Sequence, residues 1–354
     1  MSSSCGPQSA LLFPDWAKTD LSGVSFSTYR MGGPLAEVYQ PETKADVITL
    51  LNAVSEKQRA QHDDCPLTVI GWGGNVIIAE RGISGVTLVT RKMTWVHTDH
   101  VSKGRFTCGA GVHAAKIAKL ALDHHLTGAE FMIGIPGTAG GMAKMNAGAL
   151  GQETADVLVS AEIYDLQTGA ARLYSREELS YAYRHSMIEP QRHIVLEVTF
   201  QLEPGEPSAI KEKMDGSVHF RKTHHPLEPN GGSVFRNPKP TDLVPKPLTV
   251  GRMLDELGAK KWTQGGVRIS ERHANFIINL GEGTSLDVLR LMTRMKETIL
   301  SEYGVWVKPE NYLVGDATLE EMELWNALNK MPDVHVSDVH VPDAHATSAS
   351  VNNH

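Results

Sequence analysis

Apolar positions in the first part of the chain follow two periods in alternation. Short runs at 36–39, 67–70, 86–89, 157–164 and 194–200 read as strands, whereas 44–56 and 114–124 carry apolar residues at helical spacing. In the first of these helices Val47, Leu50, Leu51 and Val54 share one face, and Thr43 with Asp46 supplies a start signal. The composition turns polar near 203–213, with two prolines, which predicts a domain boundary. A second unit follows through Leu254, a strand over 275–280 and a helix over 286–303. Segment 331–354 has no apolar periodicity and is rich in Asp, Ser, Pro and His, so a flexible tail is expected there. A mixed α and β protein follows from this pattern.

At 354 residues, 41% of them hydrophobic, the chain is long enough for a sizeable core and for more than one domain. Its 34 basic and 41 acidic side chains leave a formal charge of −7 without any dense Lys/Arg block, so nucleic acid is not expected as a partner. No apolar run approaches the roughly 20 residues that cross a bilayer, and the first residues lack a basic start. A soluble, unexported, cytoplasmic protein is expected. Cys5, Cys65 and Cys108 are far apart and odd in number, which argues against a disulfide framework or a zinc site. His335, His340 and His345 recur in the tail, and His124-His125 and His224-His225 are adjacent pairs. No cysteine or clustered carboxylate completes a site around any of them, so no metal is expected.

The 32 glycines cluster at 31–33, 71–74, 134–151, 231–232 and 265–266. Gly109-Ala-Gly-Val-His-Ala114, with Glu130 downstream, imitates a dinucleotide fingerprint. Residues 103–108 before it are polar where a buried parallel strand reads as continuously apolar, so this reading is rejected. No P-loop pattern occurs. Two other loops are more specific: Gly71-Trp-Gly73-Gly74-Asn75 after an apolar strand, and the stretch from Gly134 through Pro136, Gly137, Gly140, Gly141, Asn146, Gly148 and Ala149 to Gly151. Successive backbone N–H groups in such loops can line a pyrophosphate without charged side chains. Either loop alone also reads as a tight turn.

Together with Thr28-Tyr-Arg-Met-Gly-Gly33, Tyr183-Arg-His-Ser186, Gly232-Ser-Val-Phe-Arg-Asn-Pro238, Ile269-Ser-Glu-Arg-His-Ala-Asn-Phe-Ile-Ile-Asn279 and Pro309-Glu310, these loops give the chain seven ordered motifs. In that order it resembles the UDP-N-acetylenolpyruvoylglucosamine reductases (UDP-N-acetylmuramate dehydrogenases) over about residues 20–316. The His-Ala-Asn-Phe wording resembles the subclass without a tyrosine-bearing lid. The resemblance implies an α+β protein with a two-lobed FAD-binding domain of the vanillyl-alcohol-oxidase (PCMH) type and a C-terminal α+β substrate-binding domain. The implied layout is an extension at 1–19, lobes at 20–90 and 91–204, a substrate domain at 205–304, a segment at 305–330 returning to the flavin lobes, and the tail. Arg30, Gly71, Gly73, Gly74, Asn75, Pro136, Gly137, Gly140, Gly141, Asn146, Gly148 and Ala149 are implied to surround FAD.

The implied reaction is reduction of an enolpyruvyl ether of a UDP-sugar to a lactyl ether in peptidoglycan precursor synthesis, with NADPH as co-substrate. Hydride addition beside a carboxylate builds negative charge, and Arg184 matches the family's arginine for that charge, a planar donor that stays protonated. Ser233 matches its proton donor and Glu310, in a strand-like stretch over 305–314, its catalytic glutamate. Asn237, Lys260 and His273 align with contacts to the sugar nucleotide. Taken without their motifs, Arg184 reads as a salt bridge, Ser233 as a turn serine, Lys260 as a solvated lysine and His273 as a loop histidine.

Four features depart from the family pattern. Gly74 stands where Ser is usual, His225 where Gln is frequent and Lys308 where an acid is common, and 239–250 is longer and richer in proline. No histidine lies in 71–75, which disfavours a covalent flavin through that loop. The alternatives are another FAD-dependent oxidoreductase of the same fold and a non-catalytic nucleotide-binding relative.

Overall fold

The structure, a computed structural model, describes residues 13, 15–61, 66–238 and 248–331. Cys5, Cys65, the tail histidines and most of the proline-rich 239–250 lie outside these residues. Three sheets organise the chain. The first is ordered Lys18–Ser22, Pro34–Tyr39, Ile83–Val89, Leu67–Ile70, with its last three strands parallel. Helix α1 (Lys44–Gln61) starts where Thr43 Oγ1 accepts the Asp46 N–H at 3.2 Å. Val47, Leu50, Leu51 and Val54 are fully buried, each contributing about 1.5–3 kcal/mol of apolar burial.

The second sheet is antiparallel, in the order Ala170–Ser175, Leu158–Asp165, His193–Gln201, Arg105–Gly109, Val96–His97. Helices α2 (Ala114–Asp123) and α3 (Ala139–Met145) pack with it, and the two lobes share one core in which Val47 and Leu88 join Phe106, Ile117 and Leu196. The strand before Gly109-Ala-Gly is thus antiparallel, and Glu130 is fixed by Thr127 Oγ1 at 2.5 Å and the Gly128 N–H at 2.7 Å. The segment is therefore not the parallel strand–turn–helix of a Rossmann unit.

Helix α4 (Pro207–His224) opens with proline in its first turn and buries Ile210 and Met214 in the core of the lobes. The change of core therefore falls after His224, one helix later than the polar composition near 205 suggests. A polar, proline-containing stretch is what an exposed helix start looks like as well as a linker. Beyond it, Asn230–Ser233, Phe276–Asn279, Val267–Ile269 and Thr263–Gln264 form an antiparallel sheet. It packs with α5 (Val250–Glu256) and α6 (Ser285–Tyr303) around Met253, Leu254, Ile277, Val288, Met292 and Ile299. Tyr29, Met31 and Ile77 from the first lobe reach into this second core.

Residues 305–314 do not form one strand. The Arg236 N–H bonds Lys308 O at 3.0 Å and the Glu310 N–H bonds Val234 O at 2.8 Å, after which Tyr312–Val314 pairs in parallel with Val76–Ile78. The chain changes partner between the third sheet and the first lobe, and Glu310 sits at the change. Helix α7 (Leu319–Asn329) then packs on α6.

Candidate active site

The lobes and the third sheet enclose a cavity of about 1970 Å³, lined by the loops over 71–76, 134–150 and 225–233 and by Arg184, Glu310 and Tyr312. That is larger than the roughly 300–1,000 Å³ of a drug-sized pocket and suits an extended dinucleotide. The 71–75 loop is held from behind by Arg91, whose guanidinium donates to Gly71 O at 3.2 Å, Trp72 O at 3.0 Å and Ser25 O at 2.9 Å. Among the described residues, none of the amide N–H groups of 71–75 donates to a protein acceptor. Residues 71–75 all line the cavity, so their unpaired amides are available to phosphate oxygens and the residues present fit FAD.

The departure at Gly74 has a geometric reason. A Cβ there would lie 2.3 Å from Pro136 O, so the two glycine loops touch backbone to backbone. Of the residues expected around the flavin, Arg30, Gly71, Gly73, Gly74, Asn75, Pro136, Gly137, Gly140, Gly141, Gly148 and Ala149 line the cavity. Asn146 does not. It is buried in a left-handed helix cap, where Nδ2 bonds Glu153 at 2.7 Å and Ala182 O at 3.1 Å and Oδ1 accepts the Ala155 N–H. Its position shapes the loop, and its carbonyl serves Arg184.

Arg184, itself at positive φ (54°), donates from Nε to Glu310 Oε1 at 3.1 Å, from Nη1 to Asn146 O at 3.3 Å and from Nη2 to Gly148 O at 3.0 Å. Burial pushes the Glu310 carboxyl above its ordinary value, against the opposing pull of Arg184 and Arg236. Ser233 ends its strand next to Val234, whose carbonyl takes the Glu310 N–H. Among the described residues its hydroxyl has no hydrogen-bond partner. The cavity thus brings Arg184, Ser233 and Glu310 to one place.

Behind them sits a network that the sequence reading missed. The buried Asn311 donates to Gly231 O at 2.7 Å and Asn75 Oδ1 at 2.8 Å and accepts from Tyr29 Oη at 3.2 Å, while Asn75 Nδ2 donates to Glu310 O at 2.9 Å. The only signals were that Asn311 follows Pro309-Glu310 and that Tyr29 lies inside the 28–33 motif. Two cavity cations were missed too. Burial lowers Lys144 to about 8 and, helped by Arg184, Arg221 to about 10.

Asn237, Lys260 and His273 do not line the cavity. Asn237 Oδ1 accepts the Val250 N–H at 3.0 Å, and Lys260 pairs with Asp255 at 2.8 Å. The His273 ring stands edge-on to that of His225, 5.8 Å away, and His225 does line the cavity. Burial, with Arg221, lowers His225 to about 4, so it stands neutral at the position where Gln is frequent. Lys308 uses only its backbone carbonyl here, toward Arg236.

A two-lobed flavin fold with an arginine–glutamate pair and a serine at its cavity defines an FAD-dependent oxidoreductase. Comparisons with known proteins agree. A family model described as an FAD binding domain matches residues 35–172, and one described as UDP-N-acetylenolpyruvoylglucosamine reductase, C-terminal domain, matches 223–314. The chain is 36% identical over 298 residues to the UDP-N-acetylenolpyruvoylglucosamine reductase of Synechococcus sp. (strain WH7803), covering 83% of this chain and 91% of that one. It is 33% identical over 305 residues to that of Limosilactobacillus reuteri, covering 86% and 97%. The crystal structure of UDP-N-acetylenolpyruvylglucosamine reductase from Thermus caldophilus matches with a TM-score of 0.68 at 29% identity, covering 84% of this chain and 99% of that one. The chain belongs to the UDP-N-acetylenolpyruvoylglucosamine reductase family.

Proposed function

We propose that Arg184, Ser233 and Glu310 carry the family's reaction in this chain: NADPH-dependent reduction of the enolpyruvyl ether of UDP-N-acetylglucosamine to UDP-N-acetylmuramate. The observation that carries this reading is the meeting of Arg184, Glu310 and Ser233 on one cavity wall beside a free amide cradle. The loops over 71–75 and 136–149 would hold FAD, which when bound would supply the hydride, with NADPH as the reductant. Arg184 holds negative charge as it grows on the substrate's acid group, in a setting where burial strengthens each charged hydrogen bond. Ser233, with an uncommitted hydroxyl, gives the proton to the neighbouring carbon, and its alkoxide takes a proton back through water. Glu310, held neutral by burial to higher pH than an ordinary carboxyl, lies beside Ser233 and supports that transfer. Cys108 is a buried free thiol, and among the described residues no helix is long and apolar enough to cross a membrane. The buried free thiol fits a reducing compartment, the cytoplasm.

The test is to purify the protein, record flavin absorbance, bleach it with NADPH and restore it with the enolpyruvyl sugar nucleotide. A flavin that bleaches but is not restored by that substrate overturns the reading.

A further inference from the structure

Arg184 is less available to a ligand than its place suggests. Three of its N–H groups already serve Glu310, Asn146 O and Gly148 O, and a guanidinium has few more to offer. A carboxylate brought into this part of the cavity needs another donor. Lys144 lines the same cavity. Its carbonyl takes the Ser186 hydroxyl at 2.7 Å, two residues on from Arg184, and its ammonium lies 4.5 Å from the ring centroid of Tyr312, two residues on from Glu310. All of these except Ser186 line the cavity. Among the described residues the ammonium has no carboxylate partner and no hydrogen bond, so it rests on an aromatic face with all its donors free.

We propose that Lys144 is a further substrate-binding residue, whose ammonium pairs with the carboxylate of the enolpyruvyl group and shares with Arg184 the charge that grows there. The inference rests on the function proposed above and adds to it a residue that none of the seven motifs singled out. A desolvated cation without a counter-ion is costly to keep charged, and an arriving anion relieves that cost. The Tyr312 ring faces the ammonium, and Arg184 and Glu310 line the same cavity. Its pKa of about 8 reflects burial alone. Affinity for a carboxylate should therefore be full below that value and fall as pH rises through it.

The experiment uses FAD-loaded protein in its oxidised form, with ligand binding read from the perturbed flavin absorbance. Lys144→Met should weaken binding of the enolpyruvyl sugar nucleotide about tenfold or more at neutral pH, the size of one charge-assisted contact. The same variant should lose the fall in affinity above pH 8. UDP-N-acetylglucosamine, which lacks the carboxylate, should bind wild type and variant alike. Lys144→Arg should restore tight binding and carry it to higher pH. Equal losses for both ligands would assign Lys144 to the diphosphate, and loss of the flavin itself would assign it to FAD. Either result, or unchanged binding, overturns the proposal. If wild type bleaches with NADPH and recovers with substrate, the function stands whatever Lys144 does.

Discussion

Glu310 shows how one residue is set against the stability of its own fold. Its carboxyl is largely buried and its pKa is raised by that burial more than Arg184 and Arg236 lower it. A raised acid favours the folded state when neutral. This contribution is present below the ordinary carboxylate range and is lost as pH rises through the raised folded value. Glu310→Gln should therefore be at least as stable as wild type to denaturant at neutral pH, with the gap closing under acid conditions. The same variant should be slower by about a hundredfold or more in restoring bleached flavin with substrate. A less stable Glu310→Gln at neutral pH would mean that the ion pair outweighs the burial. Ser233 makes a cleaner separation, because its hydroxyl supports nothing else in the fold. Ser233→Ala should bleach with NADPH at the wild-type rate and be reoxidised by substrate about a hundredfold more slowly or worse. Wild-type reoxidation would remove Ser233 from the chemistry.

At the scale of elements, the two glycine loops act as one part. With only 2.3 Å between Pro136 O and a Cβ built on Gly74, the loops have closed over the missing side chain. Gly74→Ser, which restores the residue type usual in the family, should weaken FAD about tenfold or more in a fluorescence titration by prising the loops apart. Retained affinity would show that the 136 loop yields freely. This detail was illegible in the sequence, since the residue type reports a lost hydroxyl and not the approach of a distant carbonyl. The strands and helices with strong periodicity were legible. The face of α1, the helix α6 and the runs at 67–70 and 194–200 lie where their patterns put them, because burial of one face is what a pattern encodes. The 305–314 stretch misled because its apolar alternation is satisfied by two successive partners, and alternation does not name a partner. The grouping of Arg184, Ser233 and Glu310 at one cavity was legible only through the set of motifs. Lys144, Arg221 and Asn311 depend on tertiary burial that no local pattern carries.

For the whole molecule the decisive fact is that the cavity lies between two cores. One core unites both flavin lobes with α4, and the other unites the third sheet with α5 and α6. Among the contacts that join them are Tyr29, Met31 and Ile77 packed across, the pairing of Tyr312–Val314 with Val76–Ile78, the Arg184–Glu310 ion pair, Asn311 bonded to 75 and 231, Asn279 Nδ2 on Tyr29 O at 2.8 Å, and Glu80 accepting the Ser285 N–H at 2.7 Å. A dinucleotide filling the cavity would touch the lobes along 71–75 and 136–149 and meet 231–233 of the other unit, all of which line it. It binds the assembled state and has nothing equivalent to bind once either unit opens, so its binding energy appears as coupling between them. At one hundred times its dissociation constant, a ligand specific for the folded state adds about 2.7 kcal/mol. Calorimetry of flavin-stripped protein should therefore show two transitions, with the sheet of Asn230–Ser233 and its helices melting separately from the lobes. Adding FAD should merge them into one transition at higher temperature. A single transition that FAD does not move would place the flavin within one unit and sever the link between cofactor binding and the closing of the active site.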